Sequence, residues 1–502
     1  MLGIACRNTA KLVREKSRSE NVRLGRLFTK KDTARLMAGM LSFDNTKQAY
    51  TVLDPGAGTG ILSAAVIDDI CRRAPECRRI FLTCYENDPV FLPMLEDNLE
   101  RIRKKCKHDY DVKLYSTVYD ANYLLDSKNH YTVTLAGQEE DKFDIIVCNP
   151  PSYFVEKNSA EAEAVGGISQ QKLSAAYLFA LLASRHLEVG GQLAVVLPTT
   201  VASASALAPF RAEMAERLAL TRAHLFVGKQ KNESRAVPLG KNLILAYRNA
   251  QPPETVEITT STDSGKSLVT LSPVPYAFAV GADGALTLPK SAEDTRIVKY
   301  ISDFPETLET LGLRMRTGLV IDARCEGILF SEAVEGTVPL IRPSAIRGGA
   351  IAFPTQGQKQ YIAPVSNAPI QKNKNMIVIK RVPAKSDARF VNSAIYLAAQ
   401  LPQYRYISTH NKINFIDTKA PESEMCARLT YGLFALLNST IYDRYISIIS
   451  KSKQINSKEM RDLPLPPRNI IENIGVRLMA TRMLTVEACD SVVNPTLHII
   501  VR

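Results

Sequence analysis

Two stretches of this chain combine residue types and spacings that can do chemistry. The first is Asn149-Pro150-Pro151-Ser152-Tyr153-Phe154. Its prolines fix the backbone and remove two N–H donors. The Asn149 amide oxygen and the Pro150 carbonyl are then acceptors with no competing donor beside them, a pair able to hold a planar amino group from two sides. In isolation the same tripeptide describes a rigid loop at a sheet edge. The second stretch, Asp54-Pro55-Gly56-Ala57-Gly58-Thr59-Gly60, has glycine at every other position. Such a turn has no Cβ atoms in the way, so a ligand can approach its backbone. The spacing is not the G-x-G-x-x-G of dinucleotide folds, which argues against a nicotinamide oxidoreductase. Nor does a lysine follow the last glycine, as a phosphate-cradling P-loop requires. With the glycine turn upstream, the amino-group reading of Asn149 and Pro150 outweighs the rigid loop.

Both stretches need strands to present them. Thr51 to Leu53 reads as the end of a buried parallel strand, and Ile61 to Ile70 resumes the apolar periodicity of a helix. Strand, glycine turn and helix present a nucleotide at the carboxyl edge of a doubly wound sheet. A second strand, Arg79 to Tyr85, ends in Glu86-Asn87-Asp88-Pro89. A carboxylate there is placed to accept from both ribose hydroxyls, with a solvated loop carboxylate as the plain alternative. Val112 to Val118 reads as a third strand, followed by Asp120 and Ala121. Asp120 suits a helix N-cap as well as it suits an acceptor for an adenine amine. Phe143 to Cys148 is short, continuous and apolar, as a buried parallel strand should be, and it runs straight into Asn149. Helices over Leu173 to Leu187 and Phe210 to Leu218, with strands over Gln192 to Leu197, Ala223 to Val227 and Leu243 to Tyr247, complete an α/β domain with a mostly parallel sheet. Upstream, Met1 to Arg26 and Asp32 to Leu41 read as helices, separated by Gly25-Arg26-Leu27-Phe28-Thr29.

Composition shifts at Asn249. Gln251 to Thr287 is rich in Pro, Thr, Ser and Gly and reads as a connector or peripheral hairpins, and Ile297 to Leu311 reads as a helix. From Gly336 to Ser386 there is no acidic residue, while Arg342, Arg347, Lys359, Lys372, Lys374, Lys380, Arg381 and Lys385 are all basic. Cations without counter-charge repel one another unless a polyanion screens them, and Arg can fork onto guanine in a major groove. Short strands at Met376 to Lys380 and Ala394 to Leu397 suggest a β-rich unit, and Leu429 to Ile446 a strongly apolar helical region. The whole chain of 502 residues carries a formal charge of +12, which favours a polyanionic partner. The nine cysteines include no C-x-x-C pair, an odd count without metal spacing that suits reduced thiols in a cytosol. No apolar run reaches the roughly 18 residues of a membrane span, and Met1 to Cys6 is too short for a signal peptide. A cytoplasmic protein with no membrane partner is expected.

Together these stretches resemble the TaqI-type, gamma-class amino-methyltransferases that act on adenine in DNA within type II restriction–modification systems. Gly25 to Thr29 resembles that class's motif before the glycine loop, Asp54 to Gly60 its S-adenosylmethionine loop, and Asn149-Pro150-Pro151 its catalytic motif. Gly190 to Pro198 fits the strand that follows. Leu311 to Gly318, His410 to Asn414 and Leu436-Leu437-Asn438-Ser439 resemble signposts of its target-recognition region. The resemblance implies a Rossmann-like methyltransferase domain over 1–250, a connector over 251–310, and a smaller α+β target-recognition region with C-terminal helices over 311–502. It places Phe28, Thr29, Asp54, Pro55, Gly56, Ala57, Gly58, Gly60, Glu86, Asn87, Asp120 and Ala121 at S-adenosylmethionine, with Tyr123 beside Asp120 at the adenine ring. Asn149, Pro150, Pro151 and Tyr153 become the catalytic group. Arg342, Arg347, Lys372, Lys374, Lys380 and Arg381 become the DNA contacts. The implied partners are double-stranded DNA and a separate restriction endonuclease, and no metal is implied.

Two departures from that pattern stand out. Ser152 follows the second proline where the class has an aromatic, so Tyr153 is the candidate to stack on a flipped base. The second aromatic of the class is missing from Lys229 to Leu245, and Phe226 is the nearest. The rival readings are a methyltransferase acting on protein glutamine or RNA adenine, since the acceptor pair suits any planar amine, and a DNA-binding homologue with weak catalysis.

Overall fold

The computed structural model describes residues 1–15, 29–126, 142–151, 153–166, 173–227, 242–262, 268–365, 368–383, 389–450 and 454–499. The chain forms two compact units, Met1–Thr295 and Arg296–Arg502.

The first unit is built on strands β1 (Ala49–Asp54), β2 (Arg79–Tyr85), β3 (Lys113–Tyr119), β4 (Phe143–Cys148), β5 (Leu187–Pro198), β6 (Ala219–Val227), β7 (Asn242–Arg248) and β8 (Thr255–Thr262). They lie in the order β3-β2-β1-β4-β5-β7-β6-β8. Neighbours run parallel, except that β7 is antiparallel to both β5 and β6. Strand order reverses between β1 and β4, where Val52 pairs with Ile145 and Leu53 with Ile146. Loops leaving two such strands diverge to opposite faces and open a crevice at their carboxyl ends. The glycine turn follows β1 and Asn149 follows β4, so topology alone brings the two informative stretches to one place.

Helices α1 (Leu2–Glu15), α2 (Lys31–Gly39), α3 (Ile61–Arg73), α4 (Leu92–Tyr110), α5 (Ala175–Arg185) and α6 (Ala208–Arg217) flank this sheet. β4 has no solvent face over its last four residues. Ile145 and Val147 join the core that contains Leu62, Val66 and Ile70 of α3, whereas Ile146 and Cys148 join the core that contains Tyr177 and Leu181 of α5. That two-sided burial explains the unbroken apolar run in the sequence.

The segment expected as a connector, 251–310, divides instead. β8 runs parallel to β6 and buries Val256 and Ile258, so residues 251–295 complete the first unit. Its threonines, read as loop composition, are β-branched and serve a strand equally well. The helix expected over Ile297 to Leu311 is instead Ala292–Ser302.

The second unit contains a sheet ordered β9 (Leu313–Thr317), β14 (Ile413–Thr418), β11 (Met376–Lys380), β12 (Ser393–Tyr396), ending in the short strands Ala350–Ile351 and Ile346–Arg347. A second small sheet includes β10 (Val338–Ile341) and β13 (Tyr406–Thr409). Helices α7 (Ala427–Asn438), α8 (Thr440–Ile449), α9 (Arg468–Thr481) and α10 (Val486–Thr496) follow. The apolar helical region expected over Leu429 to Ile446 is two helices parted at Ser439, whose extended backbone and side chain cap α8 through the Tyr442 amide. α7 and α9 meet backbone to backbone. A Cβ on Gly432 would overlap the Ile471 carbonyl, and one on Gly475 the Arg428 carbonyl.

This contact yields a test. Gly432→Ala should destabilise the protein by about 3 kcal/mol or prevent folding, whereas Gly39→Ala, which meets nothing within 4 Å, should leave the melting temperature unchanged or raised. Equal melting of the two variants would contradict the close helix crossing.

Candidate active site

The glycine turn starts from a buried carboxylate. Asp54 is 0% exposed, and its Oδ2 accepts a 2.6 Å hydrogen bond from Ser63 on α3. The Asp54 carboxyl is pushed up to about 6, chiefly by burial, against the opposing pull of Ser63 and the Gly56 amide. Ser63 escaped the sequence reading, although a hydroxyl inside an apolar helical run is the signal that marks such a partner. Gly58 and Gly60 both have positive φ, +55° and +77°. A Cβ at Gly58 would meet nothing within 4 Å, whereas one at Gly60 would lie 2.8 Å from Leu95. Gly58 therefore borders open space and Gly60 serves packing. Behind the turn, Thr59 is buried, with its hydroxyl 2.7 Å from that of Thr9 on α1 and its carbonyl accepting from Asn98 of α4 at 2.8 Å.

Glu86 at the tip of β2 reaches back to this turn. Its Oε2 accepts from the Gly58 amide at 2.8 Å, and its Oε1 from the amides of Asn87 and Asp88 at 2.9 and 2.8 Å. Burial raises its pKa while those amides pull it down. The carboxylate is thus a fixed acceptor beside the glycines, not a solvated loop charge, and Oε2 keeps a lone pair for a further donor. Pro55 and Ala57 are buried, Gly56 is half-buried and Asn87 is exposed. Asp120 is exposed and does not cap a helix. Asn122 takes that place, its side-chain oxygen accepting from the Leu124 amide at 3.0 Å, with half-buried Ala121 beside it.

At the end of β4, Asn149, Pro150 and Pro151 are half-buried. The Asn149 Nδ2 donates to Thr29 Oγ1 at 3.0 Å, a link between distant segments that no local pattern announces. Tyr153 is 40% exposed and Phe154 66%. The Tyr153 hydroxyl interacts with Asn122, and its phenol pKa is raised, mainly by burial. Phe28 and Ser152 lie outside the described residues.

Two expectations need correction. Tyr123, expected beside the adenine ring, is 2% exposed, with its hydroxyl 3.0 Å from His186 Nδ1 and its ring packed on Tyr85 and Phe179. It is core, while half-buried Phe226 packs against the core, edge-on to His224. The basic segment does not lack counter-charges either; they come from elsewhere in the second unit. Arg342 forks onto Asp322 at 2.8 and 3.2 Å and donates to the Lys359 carbonyl. Lys372 pairs with Glu422, and Lys374 donates to the carbonyls of Ser423 and Ala420 at 2.7 and 3.2 Å. Arg347 is exposed, its Nε donating to the Ser344 carbonyl at 3.2 Å. Lys380 and Arg381 are half-buried at the end of β11, and Lys385 lies outside the described residues.

A glycine turn after β1, an acidic residue after β2 and Asn-Pro-Pro after β4 thus stand together on a Rossmann-like α/β domain with a mostly parallel sheet. Residues 11–212 match the family described as N-6 DNA Methylase. The chain is 25% identical over 468 residues to the type II methyltransferase M.BsuBI of Bacillus subtilis, an alignment spanning 92% of this chain and 90% of that protein. It is 23% identical over 464 residues to the type II methyltransferase M.PstI of Providencia stuartii, spanning 90% and 89%. Among the described residues no helix is long and apolar enough to cross a membrane.

The raised Asp54 pKa sets a pH dependence. A carboxyl with a raised folded pKa contributes its full stability below the ordinary value of 3.8 and loses it as pH rises through about 6. The stability of Asp54→Asn relative to the unsubstituted protein should therefore rise between about pH 4 and about pH 7, by on the order of 3 kcal/mol. A difference that stays flat across that range would contradict the buried carboxylate.

Proposed function

We propose that this chain transfers a methyl group from S-adenosylmethionine to the exocyclic amine of a flipped-out adenine in duplex DNA. It is an adenine-specific DNA methyltransferase of a type II restriction–modification system. The observation that carries this reading is the placement of Asn149-Pro150 at the sheet's switch point, in the domain that matches N-6 DNA methylases. The two relatives, aligned over nearly their whole length, are named type II methyltransferases, which supports the restriction–modification role and disfavours a protein or RNA substrate. The finer assignment is to the gamma class, in the cytoplasm, with the cognate endonuclease on a separate chain. The class rests on the motif order, the compartment on the unpaired cysteines, and the separate endonuclease on the family resemblance.

The residues present suit the cofactor. Gly58 borders open space, and Glu86 offers Oε2 to a ribose hydroxyl. When bound, S-adenosylmethionine supplies a methyl carbon on a sulfonium sulfur. The chain's own task concerns the amine, whose lone pair is delocalised into the purine ring. Asn149 Oδ1 and the Pro150 carbonyl accept its two N–H bonds, draw the lone pair back onto nitrogen and aim it at the methyl carbon. This is positioning and electrostatic stabilisation rather than strong-base catalysis. A base inside a duplex stack is out of reach, so the target must leave it. Half-exposed Tyr153, tethered to Asn122, offers the stacking face. In the second unit Arg342, Arg347, Lys372, Lys374, Lys380 and Arg381 are the candidate phosphate contacts. Those held by protein partners, Arg342, Arg347, Lys372 and Lys374 among them, would have to exchange those partners for DNA.

Labelled-cofactor assays on DNA followed by nucleoside mass spectrometry test this reading. Asn149→Ala should lower methyl transfer by at least about a hundredfold and leave cofactor and DNA affinities within a few-fold. Full activity would remove Asn149 from the mechanism. Tyr153→Ala should slow transfer roughly tenfold and Phe154→Ala much less, and the reverse order would reassign the stacking role.

A further inference from the structure

We propose that Thr29 is a positioning residue that presents the Asn149 amide oxygen to the target amine. The inference deepens the methyl-transfer reading and rests on it. An asparagine side chain ends in two groups of opposite character, an acceptor oxygen and a donor NH2. The amide torsion is broad and nearly two-fold, so packing alone discriminates poorly between the two orientations. In this site the difference decides function. With the oxygen forward, Asn149 accepts an N–H of the target, and with the NH2 forward two donors face each other.

The contact present in this structure is made with the oxygen forward. Asn149 Nδ2 donates to Thr29 Oγ1 at 3.0 Å, which occupies the NH2 and leaves Oδ1 as the free end. Thr29 directly precedes Lys30, the N-cap residue of α2, and α2 is anchored in the first unit's core through Ala34, Met37 and Ala38. The hydroxyl therefore stands two residues from the start of a packed helix. A hydrogen bond to the NH2 also polarises the amide and makes Oδ1 a stronger acceptor. The contact matters most once a base has entered and water has left, because Nδ2 would otherwise be a stranded donor in a dry site. The motif resemblance places Thr29 at the cofactor, whereas the contact observed is with the proposed catalytic amide.

The two roles separate experimentally. Thr29→Val keeps the shape and removes the acceptor, and Thr29→Ser keeps the hydroxyl. Single-turnover methyl transfer to adenine-containing duplex DNA, at saturating S-adenosylmethionine and DNA, should slow about tenfold in Thr29→Val and be largely restored in Thr29→Ser. Melting temperature and the S-adenosylmethionine Kd should match the unsubstituted protein in both. An unimpaired Thr29→Val overturns the inference. So does a Thr29→Ser as slow as Thr29→Val, or a loss confined to cofactor affinity with the saturated rate unchanged. If Thr29→Val melts early, Thr29→Ala replaces it in the same comparison with the same outcomes. An unsubstituted protein that modifies no adenine in DNA overturns the functional reading and the inference together. An active one with a normal Thr29→Val overturns the inference alone.

Discussion

A ring amine attacks carbon poorly because its lone pair belongs to the ring, and in the function proposed for this chain that is the constraint the first unit would have to meet. Two acceptor oxygens must stand side by side, free of neighbouring donors, in line with an electrophile. Proline supplies acceptors without adding donors, since Pro150 and Pro151 have no backbone N–H. The end of a strand buried on both faces supplies rigidity, because β4 cannot shift without disturbing the cores that hold Ile146 and Val147. The switch in strand order between β1 and β4 supplies proximity to the glycine turn. Sheet topology, strand burial and proline chemistry thus converge on one point.

The turn is as constrained as the acceptor pair. Glu86 is bound to three backbone amides, one of them in the turn itself, so the second strand's tip and the first strand's loop behave as one unit. Asp54 is locked to Ser63 and contributes shape rather than an accessible charge. The two carboxylates divide the work, one buried as scaffold and the other kept near the surface as an acceptor.

Much of this was legible in the sequence where local pattern and global fold agree. β4 begins and ends where its apolar run does, and the glycine turn lies between a strand and a helix as its spacing implies. What local pattern could not show were partners far apart in the chain. Thr29 meets Asn149, Asp322 meets Arg342 and Glu422 meets Lys372 only once the chain has folded. A run of cations looks uncompensated when its counter-charges lie outside the window. The family resemblance put Tyr123 beside the adenine ring, but core packing and His186 claimed it. The threonine-rich β8 was hidden by its resemblance to loop composition, and Ser439 split an apolar run that hydrophobicity alone treats as continuous.

The central claim is that Asn149 Oδ1 and the Pro150 carbonyl grip one amino group. A structure of this chain with a non-transferable S-adenosylmethionine analogue and a duplex carrying its mapped target adenine tests it most directly. The account predicts an extrahelical adenine whose amino nitrogen lies within hydrogen-bonding distance of both oxygens, with the analogue against the glycine turn. An adenine held elsewhere, or an acceptor pair turned away from the turn, would contradict it.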